Sequence, residues 1–191
     1  MLELLVEARQ EQTWIVPPAF LAPLPSVRLV LVGQAPGPTS DPEVPLCPVT
    51  STTGRRLRDL MQLSSEEYLL LERVNLLQCF PGKHARDDAF PRKLARVAAQ
   101  AMRPLLRGRR VVLLGRKVAA AFGVELPFLM WSTWKDLEIS ILPHPSGRSR
   151  WYNSPENQGK AGEFLLQALT SDSPCLSSAH EADSAQGSVE G

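Results

Sequence analysis

The 191-residue chain is short of several things, and each shortage closes a class of function. No apolar run approaches the ~18 residues of a membrane-spanning helix. The opening segment MLELLVEARQEQ carries Glu3 and Glu7 and lacks the basic-then-apolar order of a signal peptide. The expectation is a soluble, intracellular protein with no membrane partner. Cysteine is scarce. Cys47, Cys79 and Cys175 are far apart, with no CxxC or Cys/His cluster, so neither a metal nor any other cofactor is expected. VGQAPG, at 32–37, has neither the GxGxxG spacing of a dinucleotide fold nor the GK[ST] of a phosphate loop. No Ser-His-Asp or Cys-His grouping can be assembled. Cys79 lies at a strand end as a possible nucleophile, but no activating partner is evident beside it in sequence.

What is present suits one globular domain: 43% hydrophobic residues and 21% charged ones over a length sufficient for a single core. The net charge of +1 hides an asymmetry. The tail at 171–191 holds four acids and no Lys or Arg, so the remainder has 21 basic and 16 acidic side chains, about +5. Between Lys83 and Lys117 eleven basic residues face only Asp87 and Asp88. Such a stretch is ordinarily a solvated face, and it gains meaning only beside a site that needs a polyanion.

The hydropathy pattern divides the chain into three. Residues 1–26 read as a short amphipathic helix over 2–12 and a proline-rich connector that packs on the domain. Residues 27–170 form the domain, and 171–191 read as a disordered acidic tail. Within the domain VRLVLVG, RVNLLQCF, RRVVLLG and EISILP are strand-like apolar runs. Helical segments lie between and after them: one from Gly54 to about Met61 capped by Thr53, one starting at Ser64, one over Arg92–Leu106, then RKVAAAFG and GKAGEFLLQAL. Continuous apolar strands alternating with helices give an α/β fold with a parallel sheet covered on both faces. In such sheets ligands bind beyond the carboxyl ends of the strands, where GQAPG, Asn75 and HPSGRSRW all fall.

Each of these pieces has a plain alternative. GQAPG can be an ordinary strand-exit loop, or a rigid turn that brings backbone amides to a ligand. Asn75 inside an apolar strand serves either the backbone or a ligand, and its amide offers a donor and acceptor matched to a pyrimidine edge. His144 can donate to a developing oxyanion, whereas His84 and His180 read as incidental. Ser146 and Gly147 can offer donors to a phosphate, Arg148 and Arg150 add charge, and Trp151 can stack or wedge.

Taken in order, VLVGQAPG, TGRRLRDLM, VNLLQCFP, RRVVLLGRKVAAAF and LPHPSGRSRWYN resemble the uracil-DNA glycosylase superfamily over roughly Val27–Leu169. The resemblance implies a three-layer α/β/α sandwich with a central four-stranded parallel sheet. It also implies an enzyme that removes a damaged base from DNA by hydrolysis, and a monomer is expected. On this resemblance Gln34 and Ala35 lie near the base and the water, with Pro36 and Gly37 in the same DNA-facing loop. Asn75 reads the base edge and His144 faces the leaving base. Pro145, Ser146 and Gly147 grip a phosphate, while Arg148, Arg150 and Trp151 enter the duplex. The chain departs from the pattern in having no carboxylate at 34 or 35, where family branches carry Glu or Asp. Asp41 or Glu43 are the candidate substitutes. The usual base-stacking aromatic is missing too, and Leu46 or Phe80 are candidates for its place. The missing carboxylate keeps open a superfamily member that binds nucleic acid or a nucleotide without turnover. An enzyme acting on free nucleosides would leave Arg148, Arg150 and Trp151 without a purpose.

Overall fold

A computed structural model describes residues 29–84, 87–88 and 90–170. The expected N-terminal helix and acidic tail lie outside the described residues. Strand β1, Leu29–Gly33, is buried at every position, as its unbroken apolar run requires. It pairs in parallel with β2, Glu72–Asn75, on one side and β5, Arg110–Leu114, on the other. Next to β5 lies β7, Leu137–Leu142, also parallel. These are the four expected parallel strands. The structure adds β6, Ser132–Trp134, antiparallel to β7, so the order is β2-β1-β5-β7-β6. A separate two-residue ladder pairs β3, Lys83–His84, with β4, Asp87–Asp88.

The central strands are apolar on both faces because helices cover both. On one side Val30, Val32, Val111, Leu113, Ile139 and Ile141 meet α3, Arg92–Met102, and α4, Arg116–Phe122. The contact residues of α3 are Ala95, Ala98, Ala99 and Met102, one face at helical spacing. On the other side Leu29, Leu31, Val112, Leu114 and Leu142 meet α1, Thr52–Leu60, and α5, Pro155–Thr170. The result is the three-layer α/β/α sandwich expected from the sequence.

Three local expectations are corrected. The cap of α1 is Ser51, whose hydroxyl accepts the Gly54 amide at 3.2 Å, and not Thr53. Strand β2 stops at Asn75 and does not continue to Phe80, because β1 ends at Gly33, the partner of Asn75 in the register. The helix beginning at Arg92 is α-helical only to Met102, and the turn containing Pro104, Arg103–Leu106, is 3-10. The short α2, Ser65–Leu69, starts where expected, with Ser64 and Glu67 forming a reciprocal capping box. Among the described residues no helix is long and apolar enough to cross a membrane.

The parallel register aligns the carboxyl ends. Gly33 faces Asn75 and Leu114 faces Leu142, so the loops that follow all leave from one edge of the sheet.

Candidate active site

Asn75 ends β2 with only 4% exposure. Its side chain occupies space that a side chain at Gly33 would take: a Cβ there would come within 2.5 Å of Asn75 Oδ1. Among the described residues that oxygen has no hydrogen-bond partner. An unmet buried acceptor costs ~1–3 kcal/mol, a cost that a bound donor would relieve.

His144 reaches the same edge from β7. The strand ends at Leu142, Pro143 follows, and the imidazole packs against the exit of β5 at Gly115. Here glycine is required twice over. Its φ is +95°, and a Cβ on it would lie 2.9 Å from His144 Cβ. The Gly115 amide donates to the Leu142 carbonyl at 2.8 Å, joining the two strand exits.

Between Asn75 and His144 lies a cavity of about 280 Å³. Gln34, Ala35, Pro36, Gly37, Asp41, Phe80 and Ser146 also border it, so these sequence-derived candidates do converge. Leu46 lines it too, held against Gly33 with φ +55°. Asp41 is the only acidic residue among the described residues in that lining. Its Oδ1 accepts the Glu43 amide at 2.9 Å, while Glu43 itself is exposed and outside the lining.

A second, more open cleft of about 630 Å³ adjoins the first, and Gln34, Thr52, His144 and Ser146 border both. Its other walls include Gly147, Arg148, Arg116 and Lys117. Arg116 is anchored: its Nη1 donates to the Leu126 carbonyl at 2.6 Å, and the guanidinium lies 4.2 Å from the Phe128 ring centre. The basic stretch noted in the sequence therefore supplies Arg116 and Lys117 to a groove that opens onto the cavity.

Not every candidate reaches the site. Arg150 is exposed in the 3-10 turn Arg150–Asn153 and lines neither cleft. Trp151 is not a projecting wedge. It is half-buried against the core with its ring 4.8 Å from that of Tyr152, edge to face. Cys79 is exposed and borders neither cleft. Among the described residues no three His, Cys, Asp or Glu side chains gather as a metal site would require.

Several contributors went unread in the sequence. Thr50, Ser51, Thr52 and Thr53 form one wall of the cavity, and the capping pattern of this hydroxyl run was the available signal. Arg56 and Tyr152 brace the loop carrying His144. Arg56 Nη1 donates to the Ser146 carbonyl at 2.7 Å, and the Tyr152 hydroxyl donates to the Pro143 carbonyl at 2.7 Å. Burial pushes the Tyr152 phenol above its ordinary pKa against the lowering effect of Arg56, so it remains a donor. No signal in the sequence singles out these two.

The family model described as the Uracil DNA glycosylase superfamily matches residues 21–169. No curated protein matches the chain.

Proposed function

Because the chain belongs to the uracil-DNA glycosylase superfamily, we propose that it hydrolyses the N-glycosidic bond of uracil, or a related deaminated base, in DNA. The observation that carries this reading is one cavity bordered both by His144 and by the buried amide oxygen of Asn75, which has no hydrogen-bond partner among the described residues. At about 280 Å³ it falls just below the ~300–1,000 Å³ usual for ligand pockets, a size suited to one base. A base in a duplex stack cannot reach it, so the nucleotide must turn out of the helix first.

The Asn75 amide oxygen accepts the ring N–H of the base, and its nitrogen donates to the neighbouring carbonyl. As the bond to C1′ breaks, the electron pair stays on the base. An imidazole donor from His144 stabilises that anion, an interaction worth roughly 3 kcal/mol in comparable oxyanion sites. Water adds at C1′ and its proton ends in the solvent or on the base. Gln34, which borders the cavity, positions this water, and Asp41, the acidic residue in the same lining, relays the proton on its way out. Ser146 and Gly147 hold the flanking phosphate, and the strand continues along the cleft of Arg116, Lys117 and Arg148.

Single- and double-stranded oligonucleotides carrying one uracil test this reading by abasic-site formation with enzyme in excess. Product that disappears in His144→Ala supports it. The exposed position of Asp41 favours a second reading, a binder without turnover; tight binding of uracil-DNA with no abasic product would establish that one instead.

A further inference from the structure

The segment from Pro143 to Ser146 is tied down on both sides of His144 by one stacked pair of side chains. Tyr152 Oη donates to the Pro143 carbonyl at 2.7 Å, immediately before the imidazole. Arg56 Nη1 donates to the Ser146 carbonyl at 2.7 Å, two residues after it. The Arg56 guanidinium lies over the Tyr152 ring, 5.0 Å from its centre, so the two anchors brace each other. Tyr152 is 2% exposed, and the Ser149 amide closes the turn on the Ser146 carbonyl at 3.1 Å. Pro145 restricts the backbone between the anchors further.

Arg56 also ties the turn to the opposite wall. It sits one helical turn after Thr52, which borders both clefts, on the helix whose Gly54 packs directly on the Leu46 carbonyl. Gly115 blocks His144 from behind. With its two flanking carbonyls anchored and one side closed, the imidazole has little freedom except toward the cavity.

We infer that Arg56 and Tyr152 are positioning residues that hold the His144 imidazole at the angle the leaving base requires. This rests on the glycosylase reading for its kinetic consequence, though the geometric claim stands without it. Neither side chain borders the base cavity. Their loss should therefore slow base release without weakening DNA binding.

The variants are Tyr152→Phe, which removes one hydroxyl and keeps the ring, Arg56→Gln, and Arg56→Lys, which keeps a charged donor. Tyr152→Phe and Arg56→Gln should each slow single-turnover uracil release ~10-fold, since small misplacements of a catalytic group have large kinetic effects. The Kd for an oligonucleotide with an uncleavable abasic analogue should stay within about twofold, and Arg56→Lys should recover most of the rate. A second readout needs no turnover. In protein labelled with 15N-histidine, the ring signal assigned through His144→Ala should shift in Tyr152→Phe and Arg56→Gln. Variants that melt like the wild type while keeping both the His144 signal and the rate would overturn the inference. If the wild type releases no uracil, the glycosylase reading fails and the ring signal alone decides the inference. A shift in it upholds the clamp, and an unchanged signal rejects it.

Discussion

The two walls of the cavity are built by different physics. At the Gly33–Asn75 wall the main chain does the positioning. The strands are in register, the Leu76 amide donates to the Gly33 carbonyl at 2.9 Å, and the Leu77 amide donates to the Gln34 carbonyl at 3.0 Å. At the His144 wall the Gly115 amide makes the last main-chain bond, to the Leu142 carbonyl at 2.8 Å, and beyond it side chains take over, with Arg56 bonding across 90 residues. A ladder is cooperative and loses little when one side chain changes. A clamp of two hydrogen bonds and a stack is sensitive to single deletions. The Asn75 wall is thus held mainly by the sheet, and the His144 wall mainly by side chains.

Single substitutions test whether the two walls are independent. The largest expected effect is that of His144→Ala: the single-turnover rate of uracil release falls ~10²–10³-fold, about 3–4 kcal/mol of barrier, with an unchanged melting temperature. A loss under about tenfold would take the turn wall out of the chemistry. Gly54→Ala strikes the helix that joins the walls. Its Cβ would lie 2.0 Å from the Leu46 carbonyl oxygen and 2.6 Å from that of Cys47, both main-chain atoms with little room to move. Overpacking of this kind should cost about 3 kcal/mol, read as a lower urea midpoint at unchanged slope.

Gly33→Ala probes the sheet wall alone. The new Cβ would meet Asn75 Oδ1 at 2.5 Å and push the amide aside. Stability should fall by about 1–2 kcal/mol, because a side chain rather than backbone must give way. Inhibition by free uracil should weaken while the His144 ring signal stays put. A shifted ring signal would mean that the walls are not independent.

The smallest effect lies away from both walls. Arg103 and Arg107 hydrogen-bond the Asp136 carboxylate and hold its pKa at about 2, below its ordinary 3.8. The unfolded state takes up the proton first as pH falls. The contribution is therefore complete above about pH 4 and lost on descending to about pH 2. Asp136→Asn should flatten the urea midpoint across that window and leave uracil release at neutral pH unchanged. All three groups are partly solvated, so the change should be slight.

Much of the fold was legible because buried strands must be apolar and must end where the chain turns. The runs at Leu29–Gly33, Arg110–Leu114 and Leu137–Leu142 carry that signal directly. β6 does not. Its three residues are half-buried or exposed and bond to one neighbour, so no apolar run marks them. The cap of α1 was ambiguous because Ser51, Thr52 and Thr53 all carry a suitable hydroxyl. Only the docking of Gly54 on the Leu46 carbonyl settles which begins the helix.

The same division runs through the site. Asn75, His144 and the Gln34–Gly37 loop were recognisable because each follows or ends a strand, and a parallel sheet gathers strand ends at one edge. The packing of Trp151 was not legible, because an exposed ring and a core-packed one have the same composition; its edge-to-face contact with Tyr152 is a tertiary feature.

By itself, the order of apolar runs and breakers determined that a parallel sheet would form and which loops would share its carboxyl edge. Hydrophobic burial and strand pairing depend on local pattern, so that much is written along the chain. Which of the three arginines in TGRRLRDL would meet the His144 turn, and that Tyr152 would stack beneath it, was decided by how α1 and α5 dock on the sheet. Docking angles arise from packing among residues far apart in sequence, and only the assembled tertiary structure contains them.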